Sequence, residues 1–316
     1  MKISFIIHRF PQTSEVFIIN QVADLLDRGI DVQVFAFESG DTTNVSDRYR
    51  EYHMTERTHI IGAPRSKVMR ILGGIMRAAY LLIRDPALLV RALDIKNYGV
   101  RASSLQMLYA AFVFHGKQFD VVHCHFGKMA NQYLPIRHMM RHTMPMITSF
   151  YGYDVSHMVK IKGLAYYDEL KRTCHRYIVM SNNMKERVMK LGFPENELIV
   201  LPVSIRVDAL PFVERAITDD ERMEIVSVGR FVEKKGLDDL LRALVIVKQK
   251  SSRPFHCTII GGGKLETELK SMANDFGLND VVSFPGFMKL QEVLKLFLKS
   301  HLYVQPSKTA PNGDME

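Results

Sequence analysis

Short apolar runs rich in β-branched residues alternate along this chain with longer segments whose apolar positions recur at helical spacing. That is the pattern of parallel strands joined by crossover helices, and the fold class it predicts is α/β. Runs at residues 3–7, 32–37, 120–125, 146–150, 176–180 and 198–201 read as strands. Between Ser14 and Arg28, residues Val16, Ile19, Val22, Leu25 and Leu26 share one helical face, and Gly29 follows as a stop. The alternation breaks across 201–220, where Pro202, Pro211 and a polar, acidic run predict a linker. It restarts with strands at 224–229, 255–261, 281–286 and 302–306, separated by helices that begin at Leu237, Lys264 and Leu290. Two domains follow, 1–205 and 206–316, and the second is expected to lack its last elements.

Composition narrows the class. With 316 residues and 47% hydrophobic content the chain can bury two cores. No window nears the roughly 18 uninterrupted apolar residues of a membrane span, and the opening MKISFIIHRF is broken at His8 and Arg9, so neither an anchor nor a signal peptide is expected. Cys124, Cys174 and Cys257 are odd in number, far apart and set in apolar surroundings, which fits a reduced, cytoplasmic setting.

The formal net charge of +8 points to an anionic partner, and no nucleic acid is expected in that role. The charge gathers between residues 65 and 101, where Arg65, Lys67, Arg70, Arg77, Arg84, Arg91, Lys96 and Arg101 face only Asp85 and Asp94. Interleaved with Met, Ile, Leu, Tyr and Val, they predict a basic amphipathic helical stretch. It reads either as a solvated face over a core or as a surface for anionic lipid head groups or a lipid-diphosphate substrate, at the inner face of the plasma membrane.

In open α/β sheets ligands bind beyond the carboxyl ends of the strands, so the residues that follow each strand carry the chemistry. After the first strand, Pro11 stiffens a loop and Thr13 or Ser14 can cap the next helix, with Glu15 beside them. No G-x-G-x-x-G follows, which argues against a classical NAD enzyme. His123 and His125 lie on one strand face, His125 nearer the carboxyl end; two such histidines could ligate a metal, but no third ligand is evident. Tyr151 and Asp154 flank a glycine turn after the next strand, where Asp154 could equally cap a helix.

The strongest signal is Val226-Ser227-Val228-Gly229-Arg230-Phe231-Val232-Glu233-Lys234-Lys235-Gly236. Gly229 permits a tight turn, Arg230 offers a two-pronged phosphate fork, and Lys235 adds a point charge just before a helix, which together suit a diphosphate. Gly261, Gly262 and Gly263 then stand where backbone must approach a ligand or a helix closely.

In that order these motifs resemble glycosyltransferase family 4, retaining enzymes of the GT-B fold with two Rossmann-like domains facing a central cleft. The opening Phe-Pro-Gln-Thr-Ser-Glu-Val-Phe and the closing Lys-Thr-Ala-Pro-Asn-Gly-Asp-Met-Glu are most similar to the exopolysaccharide and colanic acid branch. The resemblance implies transfer of a sugar from a nucleotide diphosphate sugar, UDP-linked first, to a lipid-linked oligosaccharide, with no metal or other cofactor required. Arg230 and Lys235 would hold the donor diphosphate, with Gly229 and Gly261 to Gly263 shaping its site. His125 would stand near the transferred sugar, and Ser14, Glu15, His123, Tyr151 and Asp154 on the acceptor side. Glu316 would match the first of two family glutamates, the second lying beyond the end of the sequence, so a truncated chain is expected. Arg9-Phe10-Pro11 departs from the glycine pair of many members. The competing readings are an inactive fragment or binding module for carbohydrate or membrane, and a GT-B type epimerase or phosphorylase.

Overall fold

A computed structural model describes residues 1–12, 15–43, 45–203, 205, 207, 210, 212–215, 218, 221–311 and 313. Ser14 and Glu316 lie outside the described residues. The chain divides into two compact units, 1–204 and 205–316.

The first unit is built on seven parallel strands: β1 (Lys2–Phe10), β2 (Asp31–Ser39), β3 (Thr58–Ile60), β4 (Val121–His125), β5 (Met146–Ser149), β6 (Arg176–Val179) and β7 (Leu198–Val200). Their order is β3-β2-β1-β4-β5-β6-β7. Helices cover both faces, so the central strands must be apolar on both sides. In β1, Ile3, Phe5 and Ile7 pack with Ile18, Ile19 and Val22 of the Val16–Asp27 helix. Ile6 points the other way into a core with Phe35, Phe114 and Tyr133. Strand order reverses between β1 and β4, which leaves a crevice at their carboxyl ends.

The second unit carries β8 (Met223–Val228), β9 (Phe255–Ile260), β10 (Val282–Gly286) and β11 (Leu302–Tyr303), all parallel and in the order β10-β9-β8-β11. The helices Leu237–Lys250, Glu266–Asp275 and Leu290–Lys299 connect them. Leu240, Leu241 and Leu244 of the first join Cys257, Ile259, Leu269 and Leu278 in its core. Here the order reverses between β8 and β11.

Two features differ from the sequence expectation. Strand β3 was not expected: it has three residues and no alternation, and it is held through the pairing of Thr58, His59 and Ile60 with Val34, Phe35 and Ala36. The basic stretch is helical as read, over Lys67–Arg84, Pro86–Ala92, Ile95–Tyr98 and Val100–Ser103. Its outward face, however, is apolar rather than a solvated polar face over a core. Only Gly74 and Leu81 of the longest helix are buried, whereas Met76 is 74% and Ile83 81% exposed, with Val68, Ile71, Leu72, Ile75 and Leu82 also exposed. The inward position goes to Arg77, whose guanidinium lies 4.2 Å from the Tyr109 ring centroid and donates to the Gly73 carbonyl at 2.9 Å.

Candidate active site

At the carboxyl ends of β4 and β5 the first sheet is aromatic and buried. His123 and His125 leave β4 on one face and stack at 4.4 Å, with Phe5 against both rings. His123 Nε2 meets Ser149 Oγ at 2.8 Å, and His125 Nδ1 meets Tyr151 Oη at 3.0 Å. Both histidines therefore spend one ring nitrogen on the neighbouring strand end instead of converging on an ion. Among the described residues no group of three or more His, Cys, Asp or Glu could hold a metal.

Burial presses both rings toward neutrality, His123 down to about 4 and His125 well below its ordinary value, where its neighbour His123 adds to the effect. One atom is left over. His125 Nε2 is fully buried and has no hydrogen-bond partner in the structure. A buried polar atom without a partner costs about 1–3 kcal/mol, so such atoms call for an explanation. The next residue, Phe126, has φ 73°, outside the usual range for a side chain of its size, and it places the backbone between His125 and the Gly127–Met140 helix under strain.

Tyr151 and Asp154 follow β5 as the sequence reading placed them, and Asp154 caps the Gly152–Val155 helix, one of the two readings it was given. Tyr151 packs on Phe17 and Phe126 and holds His125. Asp154 is fully buried, and its oxygens accept the backbone N–H groups of Tyr151 (3.2 Å) and Lys128 (3.4 Å). Burial pushes its carboxyl up to about 7 against the opposing pull of those donors. Asp154 thus ties the loop after β5 to the helix after β4. Glu15 opens the Val16–Asp27 helix, and burial alone raises its carboxyl to about 7.

The carboxyl edge of the second sheet is exposed, glycine-lined and cationic. Gly229 directly follows β8, and its N–H donates to Ile260 O at 3.0 Å. Arg230 is exposed, and the short turn Glu233–Lys235 leads through Gly236 into the Leu237–Lys250 helix. The stem of Lys235 lies over Gly229, 3.5 Å from where a Cβ would stand. Gly261 has φ +134°, and a Cβ there would fall 2.0 Å from Gly229 O, so only glycine fits. Gly263 packs likewise on the backbone of Phe231, while Gly262 faces the Phe287 ring. The glycines thus let two strand-end loops nest, and that nesting fixes the Gly229–Lys235 turn. The helix N-terminus itself is taken by Asp238 and Asp239, both held by Lys308 at 2.6–2.8 Å.

Sequence reasoning passed over a group at the β1 edge. Arg9 and Arg65 close on Glu38, the latter at 3.0 Å, and hold its carboxyl down to about 2. Lys128 comes near enough to His8 to lower it further after burial. These residues lie far apart in the chain, and only the sheet brings them together.

Two parallel sheets that each reverse strand order match the architecture of GT-B glycosyltransferases. Solved structures show the same fold: HepE of Anabaena, crystallised with UDP and glucose, superposes with TM-score 0.62 at 14% identity over 99% of this chain and 76% of its own. Residues 14–208 match the model described as Glycosyltransferase Family 4, and 213–313 that of Glycosyl transferases group 1. The chain belongs to glycosyltransferase family 4. It is 30% identical to the amylovoran biosynthesis glycosyltransferase AmsK of Erwinia amylovora, over the whole chain and 78% of that protein. It is 29% identical, with the same coverage, to WcaL of Escherichia coli K12, named as a colanic acid biosynthesis glycosyltransferase.

Proposed function

We propose that this family member transfers a hexose from a nucleotide diphosphate sugar, UDP-linked first, to a lipid-linked saccharide in exopolysaccharide assembly, with retention of configuration. The observation that carries the reading is the Gly229–Lys235 turn, a guanidinium and an ammonium presented at the β8/β11 switch point on a turn locked by Gly261. As the bond from sugar to diphosphate breaks, negative charge grows on the departing phosphate. Two fixed cations stabilise that charge more than they stabilise the intact donor, which is what lowers a barrier, and they supply what a metal supplies elsewhere. His125, neutral and with Nε2 unspent, is suited to a sugar hydroxyl rather than to a phosphate. The names of AmsK and WcaL support exopolysaccharide assembly, and the HepE complex supports UDP.

The exposed apolar face at 67–100 supports peripheral contact with an anionic bilayer. Isoleucines and methionines would enter the lipid boundary while Lys67, Arg84 and Lys96 meet the head groups. No described helix is long and apolar enough to cross a membrane. The test is nucleoside diphosphate release from a panel of nucleotide sugars, with saccharide-lipid acceptors in phosphatidylglycerol vesicles. The reading expects release with one donor, dependent on acceptor, and silence with all of them would overturn it.

A further inference from the structure

A cavity of about 700 Å³ opens at the carboxyl ends of β1, β2 and β3, entirely within the first unit. Its walls are apolar, with Phe37, Ile61, Met107 and Ile136 among them, and its charges are Arg9, Arg65, Arg101 and Glu38. Three guanidiniums against one carboxylate leave two positive charges in excess. Glu38 is already clamped between Arg9 and Arg65, and Arg101, exposed on the facing wall, has no carboxylate of its own in the cavity. His8 adds no charge, since burial holds it toward the neutral form. A cavity of this size, apolar below and doubly cationic at its rim, suits a ligand with both a saccharide or hydrocarbon portion and a dianionic group.

The second observation is where the cavity stands in the chain. Arg65 directly precedes Ser66, whose hydroxyl caps the Lys67–Arg84 helix, and Arg101 directly follows Val100, which is 79% exposed. The outward apolar segment therefore leaves from the cavity rim and returns to it. A lipid whose tail lay in a bilayer under that segment would present its phosphates near the two arginines.

From this geometry, and resting on the glycosyltransferase reading above, we propose that the cavity is the acceptor's anion subsite, with Arg65 and Arg101 gripping the diphosphate that joins lipid to saccharide. The same phosphate chemistry is offered by a phospholipid head group, and the experiment separates the two sources. Farnesyl diphosphate, farnesyl monophosphate, farnesol and inorganic pyrophosphate are titrated calorimetrically into the full chain, with UDP titrated in parallel. The expected order is diphosphate tighter than monophosphate, and monophosphate tighter than alcohol. Arg65→Gln with Arg101→Gln should weaken farnesyl diphosphate at least tenfold, Arg65→Lys with Arg101→Lys should restore part of the loss, and UDP affinity should stay within twofold throughout.

Equal binding of farnesol and farnesyl diphosphate, or an unchanged affinity in the Gln pair, overturns the subsite while the donor reading stands. Vesicles of phosphatidylglycerol that displace farnesyl diphosphate as well as vesicles doped with a prenyl diphosphate would make this a phospholipid site and overturn it too. Absence of both UDP and farnesyl diphosphate binding in the unaltered chain removes the underlying reading as well.

Discussion

The two sheets reverse strand order in the same way, yet the β4/β5 strand ends of the first and the β8 end of the second are chemical opposites. At the β4/β5 strand ends the polar groups are buried, neutral and braced against one another, His123 on Ser149 and His125 on Tyr151. At the β8/β11 edge Arg230 is exposed and Lys235 half-buried, and the precision lies in the backbone, through Gly229, Gly261 and Gly263. A neutral edge can select hydroxyl geometry, as a sugar demands; a cationic edge on a rigid turn holds phosphate, whose charge forgives side-chain mobility but not loss of the turn. On the proposed function, one fold would place two kinds of recognition at equivalent points.

The largest expected effect breaks the second edge through its backbone. Gly261→Ala puts a Cβ against Gly229 O in a conformation that disfavours side chains, and should cost roughly 2–4 kcal/mol of stability, read as a lower urea midpoint, with UDP binding lost alongside. A variant as stable as the parent would show that nesting of the loops does not fix the turn.

At the first edge the corresponding change is smaller. Tyr151→Phe leaves His125 Nδ1 buried without its partner, at a cost of about 1–3 kcal/mol. The predicted readout is a fall in kcat with UDP affinity unchanged, because His125 loses its orientation. A rise in the UDP Kd instead would shift this edge to the nucleotide.

Smaller still is a pH effect. Burial raises the Glu15 carboxyl from 4.5 to about 7, so the fold favours its protonated form. Its contribution is fully present below pH 4.5 and is lost as pH climbs through about 7. Glu15→Gln, always neutral, should therefore gain in melting temperature on the parent as pH is raised across that window, and parallel curves would sink the assignment.

Much of this was legible in advance where chemistry and local sequence coincide. The central strands are apolar on both faces and so stand out as continuous runs, and the Gly229–Lys235 turn compresses its glycine and both cations into seven residues. What escaped is long-range. Strand β3 exists only through its pairing with β2. Arg9, Arg65 and Arg101 converge only once the strand ends and the helices around Arg101 are placed. The apolar face of the Lys67–Arg84 helix has the same period whether it turns inward or outward, so its exposure needed Arg77 to be seen packing inward on Tyr109.

The contrast between the edges rests on the division of labour between phosphate and sugar, and calorimetry on paired variants addresses it directly. Arg230→Ala should weaken UDP by about ten- to 150-fold, the loss of roughly 1.5–3 kcal/mol from one charge-assisted grip, while leaving uridine affinity unaltered. His125→Ala should leave both affinities within twofold and still depress turnover. Unchanged UDP affinity in Arg230→Ala, or a loss in His125→Ala as large as that in Arg230→Ala, would contradict the account.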